Sequence, residues 1–259
     1  MKFHVLQFNM NWCKKEENFK KVESLLKFAS LEPFDFLVLP EMFATGFVHH
    51  PEASLAENFS ESSSETSQFL SALAKKYQIF IQGGGISAFS ENKYYNTTGI
   101  YSPKDVSEIP FYNKIHLFFS EKKHFACGTE LKNISVDGFH IFPLTCYDLR
   151  FPELFRKALS EKANLFTVSA SWPEERIVHW DILLQGRAIE NQSYVIGANR
   201  VGNDPYASYI GHSKIISPEG IILADAKEEE CVISAEVSLE NLVRYRNAFP
   251  VLKDAGFEI

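Results

Sequence analysis

The sequence is poor in cysteine, with only Cys13, Cys127, Cys146 and Cys231, and no two of them form a C-x-x-C pair. That spacing argues against a metal site or a redox dithiol and suits a reducing cytoplasm. Positive charge is also in the minority. The chain has 26 Lys and Arg against 33 Asp and Glu, a net charge of −7, with no basic cluster. Nucleic acid and anionic membrane surfaces are therefore excluded as expected partners. No apolar run is long enough to span a bilayer. The opening Met1-Lys2-Phe3-His4-Val5-Leu6-Gln7-Phe8 lacks the long apolar core of a secretory leader and reads as a first strand. No linker, repeat or low-complexity stretch divides the chain, so a single domain over residues 1–259 is expected.

What is present is a large apolar content: 45% of the 259 residues, including 23 phenylalanines. A chain of this length and composition can bury a thick, heavily packed interior. Apolar spacing predicts helices over Glu16 to Ala29, Ser64 to Tyr77, Trp180 to Asn191 and Glu240 to Arg246. Ser63 or Ser64 is a suitable N-cap for the second. Strands are expected over Phe3 to Phe8, Phe34 to Leu39, Gln78 to Gln82, Tyr94 to Tyr101, Phe111 to Phe118, Leu165 to Ala170, Tyr194 to Ala198 and Cys231 to Val237. A turn is expected around Pro103-Lys104-Asp105, and a hairpin over Lys214 to Leu223 turns at Ser217-Pro218-Glu219-Gly220. The strand at Gln78 to Gln82 is read as ending in Gly83-Gly84-Gly85, and the tail from Asn247 as irregular. Strands alternate with helices throughout, which makes the class α/β.

The stretch from His140 to Pro152 organises the rest. It begins as a buried strand, and Pro152 then suits the first turn of a helix through Leu159. Cys146 falls at the elbow between them. A thiol there faces amide donors, and a helix N-terminus favours the thiolate. A small buried hydrophobe is the ordinary alternative for a lone cysteine. Glu41 follows the strand Phe34 to Leu39 and Pro40. Apolar neighbours raise a carboxyl pKa towards that of a general base, although an exposed loop glutamate fits the same pattern. Lys114, inside Phe111 to Phe118, must either snorkel to solvent or meet a carboxylate.

Taken together, strand-Pro-Glu, Tyr112-Asn113-Lys114-Ile115-His116-Leu117-Phe118 and strand-Cys146-Tyr147-Asp148-Leu149-Arg150-Phe151-Pro152-Glu153 resemble the nitrilase superfamily of carbon–nitrogen hydrolases. Within it, several segments resemble the bacterial omega-amidase branch: Glu121 with His124 and Gly128; Ser171-Trp172-Pro173; His179-Trp180; Arg187 to Gln192; and Asn199-Arg200-Val201-Gly202. The resemblance implies a four-layer α-β-β-α sandwich, paired into homodimers or larger oligomers through the helical layer. It implies a Glu-Lys-Cys triad at Glu41, Lys114 and Cys146, with a second glutamate at Glu121 and Glu130 as the less favoured choice. It implies no cofactor and no metal. The substrate it implies is a short 2-oxo dicarboxylic acid monoamide, 2-oxoglutaramate or 2-oxosuccinamate; another amidase or N-carbamoyl hydrolase of the superfamily shares the triad and is the alternative, and a catalytically silent binding module is the rival of another class. A carboxylate clamp would then fall to Arg150 or Arg200, since arginine matches a carboxylate bidentately. A structural pair such as Arg150 with Glu153 competes with that role, and Arg187 and Glu190 have the spacing to pair with each other. Tyr147, Trp172 and Phe43 are expected pocket walls, although aromatics are equally at home in a core.

Overall fold

A computed structural model describes residues 1–52, 54–59, 64–89, 93–104 and 109–255. The chain begins with strand β1 (Lys2–Gln7), helix α1 (Lys15–Leu26), β2 (Phe36–Val38), helix α2 (Glu65–Tyr77), β3 (Phe80–Phe89), β4 (Lys93–Tyr101) and β5 (Phe111–Asn113). It continues through β6 (Ile134–Val136), β7 (Phe139–Thr145), α3 (Pro152–Ser160), β8 (Leu165–Ser169), α4 (Ile177–Asn191) and β9 (Tyr194–Ala198). After a small antiparallel pair, β10 (Val201–Asn203) and β11 (Ser208–Ile210), come β12 (Lys214–Ile216), β13 (Ile222–Asp225), β14 (Cys231–Glu236) and α5 (Leu239–Ala248).

These strands make two six-stranded sheets, ordered β14-β1-β2-β3-β4-β5 and β13-β12-β9-β8-β7-β6. In the first, β1, β2 and β3 run parallel; in the second, β7, β8 and β9 do. Both parallel trios are largely buried on two faces, and β2 accordingly reads as an unbroken apolar run. Phe3, Val5, Phe36 and Val38 of the first sheet meet Ile141, Leu165, Ile196 and Ile215 of the second in the central core. Leu6, Leu37 and Ile81 face α1 and α2 on one outer side. Phe142, Phe166 and Val195 face α3 and α4 on the other. The result is four layers, α-β-β-α, and the termini of the parallel strands point into one seam between the sheets.

The expected elements are found with shifted ends. Ser64 caps α2, its side chain accepting from the Ser67 amide; Ser63 and Asp105 lie outside the described residues. The hairpin of β12 and β13 forms as expected. Three readings need correction. The glycine run does not end β3 but lies in its middle, because at Gly84 a Cβ would sit 1.9 Å from the Thr97 carbonyl oxygen of β4. Only glycine permits that approach. Strand β5 stops at Asn113, since the His116 amide is drawn to Asp148 Oδ1 (2.8 Å) and leaves the ladder. The tail is partly ordered, with α5 reaching Ala248 and a 3-10 turn over Val251–Asp254. β6 and the β10–β11 pair have too few residues for a period to show.

Candidate active site

The seam between the sheets holds three charged side chains with no exposed surface. Lys114 Nζ donates to Glu41 Oε1 at 2.9 Å and to Glu121 Oε2 at 2.8 Å. Glu41 sits just beyond β2, and its second oxygen accepts from the Ser171 amide at 2.9 Å, just beyond β8. Glu121 opens a 3-10 turn, Glu121–Lys123, and also accepts from the Phe118 amide at 2.7 Å. Both carboxylates take a hydrogen from Asn96 of β4, at 2.7 Å for Glu41 and 3.0 Å for Glu121. Glu130, by contrast, pairs on the surface with Lys132.

Two carboxylates around one ammonium fix the electrostatics. Burial works to deprotonate Lys114, but Glu121 and Glu41 outweigh it and hold the lysine charged, well above its usual range. Burial raises the Glu41 carboxyl, with Lys114 opposing and Glu121 adding to the rise. A glutamate so placed exchanges a proton closer to neutrality than an exposed one does.

Cys146 stands over this cluster. It follows β7 and opens a 3-10 turn, Cys146–Arg150, with its own φ at +47°. A non-glycine residue in the left-handed region is held there by its surroundings. Here the holders are visible. Asp148, fully buried, accepts from the Thr145 amide (3.0 Å), the Tyr112 hydroxyl (2.6 Å) and the His116 amide. Arg187 of α4 donates twice to the Leu149 carbonyl, at 3.1 and 2.9 Å, and pairs with Glu190 at 2.9 Å. Burial pushes the Cys146 thiol well above its usual range and Glu41 adds to this, while Lys114 works against it. Burial thus works against the thiolate that the turn alone is expected to favour. A base must take its proton.

The thiol opens into a cleft of about 150 Å³ lined by Phe47, His49, Phe118, Tyr147, Trp172 and Tyr209, with Arg150 and Arg176 among the other walls. Tyr147 and Trp172 thus fall on the cleft, as does Arg150. The Arg150 guanidinium lies 4.7 Å from the Trp172 ring and donates to His179 Nδ1 at 3.2 Å, so its partner is His179 and not Glu153. Burial and the neighbouring charge of Arg176 lower its pKa, with Tyr147 opposing. Two guanidiniums on one small cleft favour an anion between them.

Two expected pocket residues lie elsewhere. Arg200 is fully buried behind the wall, paired with Asp204 at 3.2 Å and stacked 4.4 Å under the Tyr209 ring. Its charge is already matched, because a buried guanidinium must find its acceptors inside. Phe43 turns away from Glu41 into the helix-side core, against Phe19 and Phe69. Arg176, Asn96 and the aromatics His49, Tyr206 and Tyr209 were not singled out by sequence. Arg176 does lie between Ser171-Trp172-Pro173 and His179-Trp180, and its carbonyl accepts from Trp172 Nε1 at 2.8 Å. Among the described residues, no group of three or more His, Cys, Asp or Glu is placed to hold a metal ion. Nor is any helix of the described residues long and apolar enough to cross a membrane.

Comparison with known proteins places this geometry. The family model for carbon-nitrogen hydrolases matches residues 4–247. The chain is 37% identical over 251 residues to the 2-oxoglutaramate amidase of Bacillus subtilis (strain 168), covering 96% of this chain and 95% of that protein. It is 35% identical to the omega-amidase YafV of Escherichia coli (strain K12), over 98% of this chain and 96% of that one. Among solved structures, the CN-hydrolase superfamily protein XC1258 of Xanthomonas campestris, which carries an arsenic adduct in its active site, superposes with a TM-score of 0.89 at 27% identity, covering 100% of this chain and 98% of that one. Nit3 of Saccharomyces cerevisiae, a member of branch 10 of the nitrilase superfamily, gives 0.88 at 29%, covering 99% and 97%. With its family model spanning nearly the whole chain and its two sheets superposing on those of the superfamily, this protein belongs to the carbon-nitrogen hydrolases.

Proposed function

We propose that this protein is an omega-amidase, which hydrolyses the terminal carboxamide of short 2-oxo dicarboxylic acid monoamides such as 2-oxoglutaramate and 2-oxosuccinamate. One observation carries the reading: a cysteine at a left-handed elbow, coupled to a buried Glu-Lys-Glu cluster, opens on a small cleft that also holds two arginines. The names of the relatives from B. subtilis and E. coli support it.

In this reading the Cys146 sulfur attacks the amide carbon while Glu41 takes the thiol proton. Charge gathers on the carbonyl oxygen, where the Lys114 ammonium and the first-turn amide of Tyr147 hold it; one such donor is worth about 3 kcal/mol. The C–N bond breaks, Glu41 returns its proton to the departing ammonia, and a thioester remains on Cys146. Water then attacks the thioester, again losing a proton to Glu41, and the dicarboxylate leaves with the thiol restored. Glu121 keeps Lys114 charged and aimed throughout. No cofactor enters these steps. Arg150 and Arg176 bind the free carboxylate beside the keto group, and Trp172, Tyr147 and Phe118 enclose the short chain.

The domain so read is single, spans 1–259 and is cytoplasmic, in keeping with cysteines that are all unpaired. It assembles as a homodimer or larger oligomer. In support, α4 presents Val178, Ile182 and Ile189 to solvent, each more than half exposed, near exposed Ile221 of the β12–β13 turn.

The test is ammonia release across 2-oxoglutaramate, 2-oxosuccinamate, glutamine, N-carbamoyl amino acids, nitriles and neutral butyramide. The 2-oxo acid amides should lead in kcat/KM. If butyramide matches them, the cleft has no carboxylate clamp and the protein is a general aliphatic amidase. If N-carbamoyl amino acids lead, the substrate class is wrong.

A further inference from the structure

Asn96 occupies a place in the buried cluster that the chemistry above leaves unused. It is 1% exposed, and the two hydrogens of its side-chain amide go to two different carboxylates, Glu41 and Glu121. Its backbone carbonyl accepts from the Lys114 amide at 2.9 Å. Next to it, the Thr97 hydroxyl donates to the side-chain oxygen of Asn113, the residue before Lys114, at 2.7 Å. One residue of β4 is thus bonded to three members of the cluster: both glutamates through its side chain and the lysine through its main chain. The orientation of the amide is forced, since its oxygen would be repelled by two carboxylates, whereas its nitrogen has two hydrogens to give.

The charge count explains why such a group is needed. Two buried carboxylates share one ammonium, leaving one negative charge unmatched in the seam. Without further donors, one carboxyl would take up a proton and cease to be a base. A second cation would cancel the charge but would compete with Lys114 for Glu41. A neutral amide supplies two hydrogens and adds no charge.

We propose that Asn96 is a positioning residue of the hydrolase, which favours the ionised form of Glu41 and fixes the separation of Glu41 and Glu121 around Lys114. The inference rests on the reading of Glu41 as the base for Cys146. The groups facing Glu41 are Lys114, Glu121 and Cys146, and His49 adds its field at Glu121. Lys114, the Asn96 amide and the Ser171 backbone amide favour ionised Glu41 against its burial, and Asn96 alone of the three also reaches Glu121 without adding charge.

The experiment uses Asn96→Ala, Asn96→Ser and Asn96→Asp in the full chain. Two pH profiles are read from pH 5 to 9: kcat/KM for 2-oxoglutaramate, and the rate at which iodoacetamide alkylates Cys146. Loss of both donors in Asn96→Ala should lower kcat about tenfold to a hundredfold with KM within about twofold. It should also move the acid limb of both profiles up by about one pH unit. Asn96→Ser keeps one donor, and its limb should fall between wild type and Asn96→Ala. Asn96→Asp has the shape of asparagine without its donors and should be the slowest of the three. Limbs that stay in place while kcat falls would reduce Asn96 to a structural residue, as would wild-type turnover by Asn96→Asp. Should the alanine variant fail to fold, as judged by circular dichroism, the limb of the serine variant decides. The alkylation arm needs no substrate. It therefore tests Asn96 even if 2-oxoglutaramate is not turned over, an outcome that would count against the proposed substrate alone.

Discussion

Replacing Lys114 by methionine tests the electrostatics of the seam independently of any substrate. The side chains of Lys114, Glu41 and Glu121 have no exposed surface, and the ion pairs found for both glutamates are to this lysine. Methionine fills much of the same volume, so the loss is chiefly one of charge. Breaking a buried ion pair by removing one partner costs about 3–5 kcal/mol. For a domain of this size that lowers the melting temperature by roughly 10 °C. The pH dependence is the sharper signature. With Lys114 gone, burial and mutual repulsion hold at least one carboxyl protonated in the folded state, above the ordinary 4.5 of the unfolded chain. The folded variant then binds a proton that the unfolded chain has released. Its stability is greatest below pH 4.5 and falls as pH rises towards the raised value. Melting curves of wild type and Lys114→Met from pH 5 to 8 should diverge as pH increases. The double variant Glu41→Gln with Lys114→Met, which has one carboxylate fewer to strand, should recover a large part of the loss at pH 8. A gap between wild type and variant that is constant with pH, or that narrows as pH rises, would show that the stranded charges do not set the cost.

Other outcomes follow from the same geometry. Cys146→Ala should abolish ammonia release while the melting temperature stays within a few degrees, whereas alanine at Cys13, Cys127 or Cys231 should leave most activity; equal loss at Cys127 would reassign the nucleophile. Arg176→Leu and Arg150→Leu should each lower kcat/KM for 2-oxoglutaramate by about tenfold or more, and butyramide turnover by far less; parallel losses on both substrates would remove the carboxylate clamp. Arg200→Leu strands Asp204, which also holds the Tyr206 and Ala207 amides and the Tyr209 hydroxyl. Calorimetry should find about 3–5 kcal/mol less stability, and a variant as stable as wild type would show that the pair is dispensable.

The sequence makes the layers legible because their apolar runs are long. The buried trio β7, β8 and β9 and the helix Ile177–Asn191 are each visible as continuous or periodic apolar stretches. The motifs around Glu41, Lys114 and Cys146 likewise single out residues that the fold gathers into one seam. Side-chain direction is what escapes. Phe43 is two positions from Glu41 yet belongs to the helix-side core, a difference set by the turn at Met42, whose φ is +48°. Arg200 and Arg176 look alike in sequence. Which of them meets the cleft depends on Asp204, four residues away, having already claimed the guanidinium of Arg200. Asn96 lies in a strand whose alternation gives no hint that its inward neighbours are charged. Its role depends on two glutamates 55 and 25 positions away. Short elements such as Val201–Asn203 fall below the length at which any period shows.

The two sheets do not share the chemistry evenly. Glu41, Asn96 and Lys114 belong to strands, or follow strands, of the first sheet, while Cys146 and the Ser171 amide follow strands of the second. Each sheet alone therefore carries half of a reagent: one has a base without a thiol, the other a thiol without a base. Turnover becomes a gauge of how well the layers are closed. In a refolding experiment, ammonia release therefore reports the closing of the seam and not the return of helical signal alone. A substitution deep in the intersheet core, such as Ile141→Ala, would then spoil the rate by loosening the seam, without touching any group that meets the substrate.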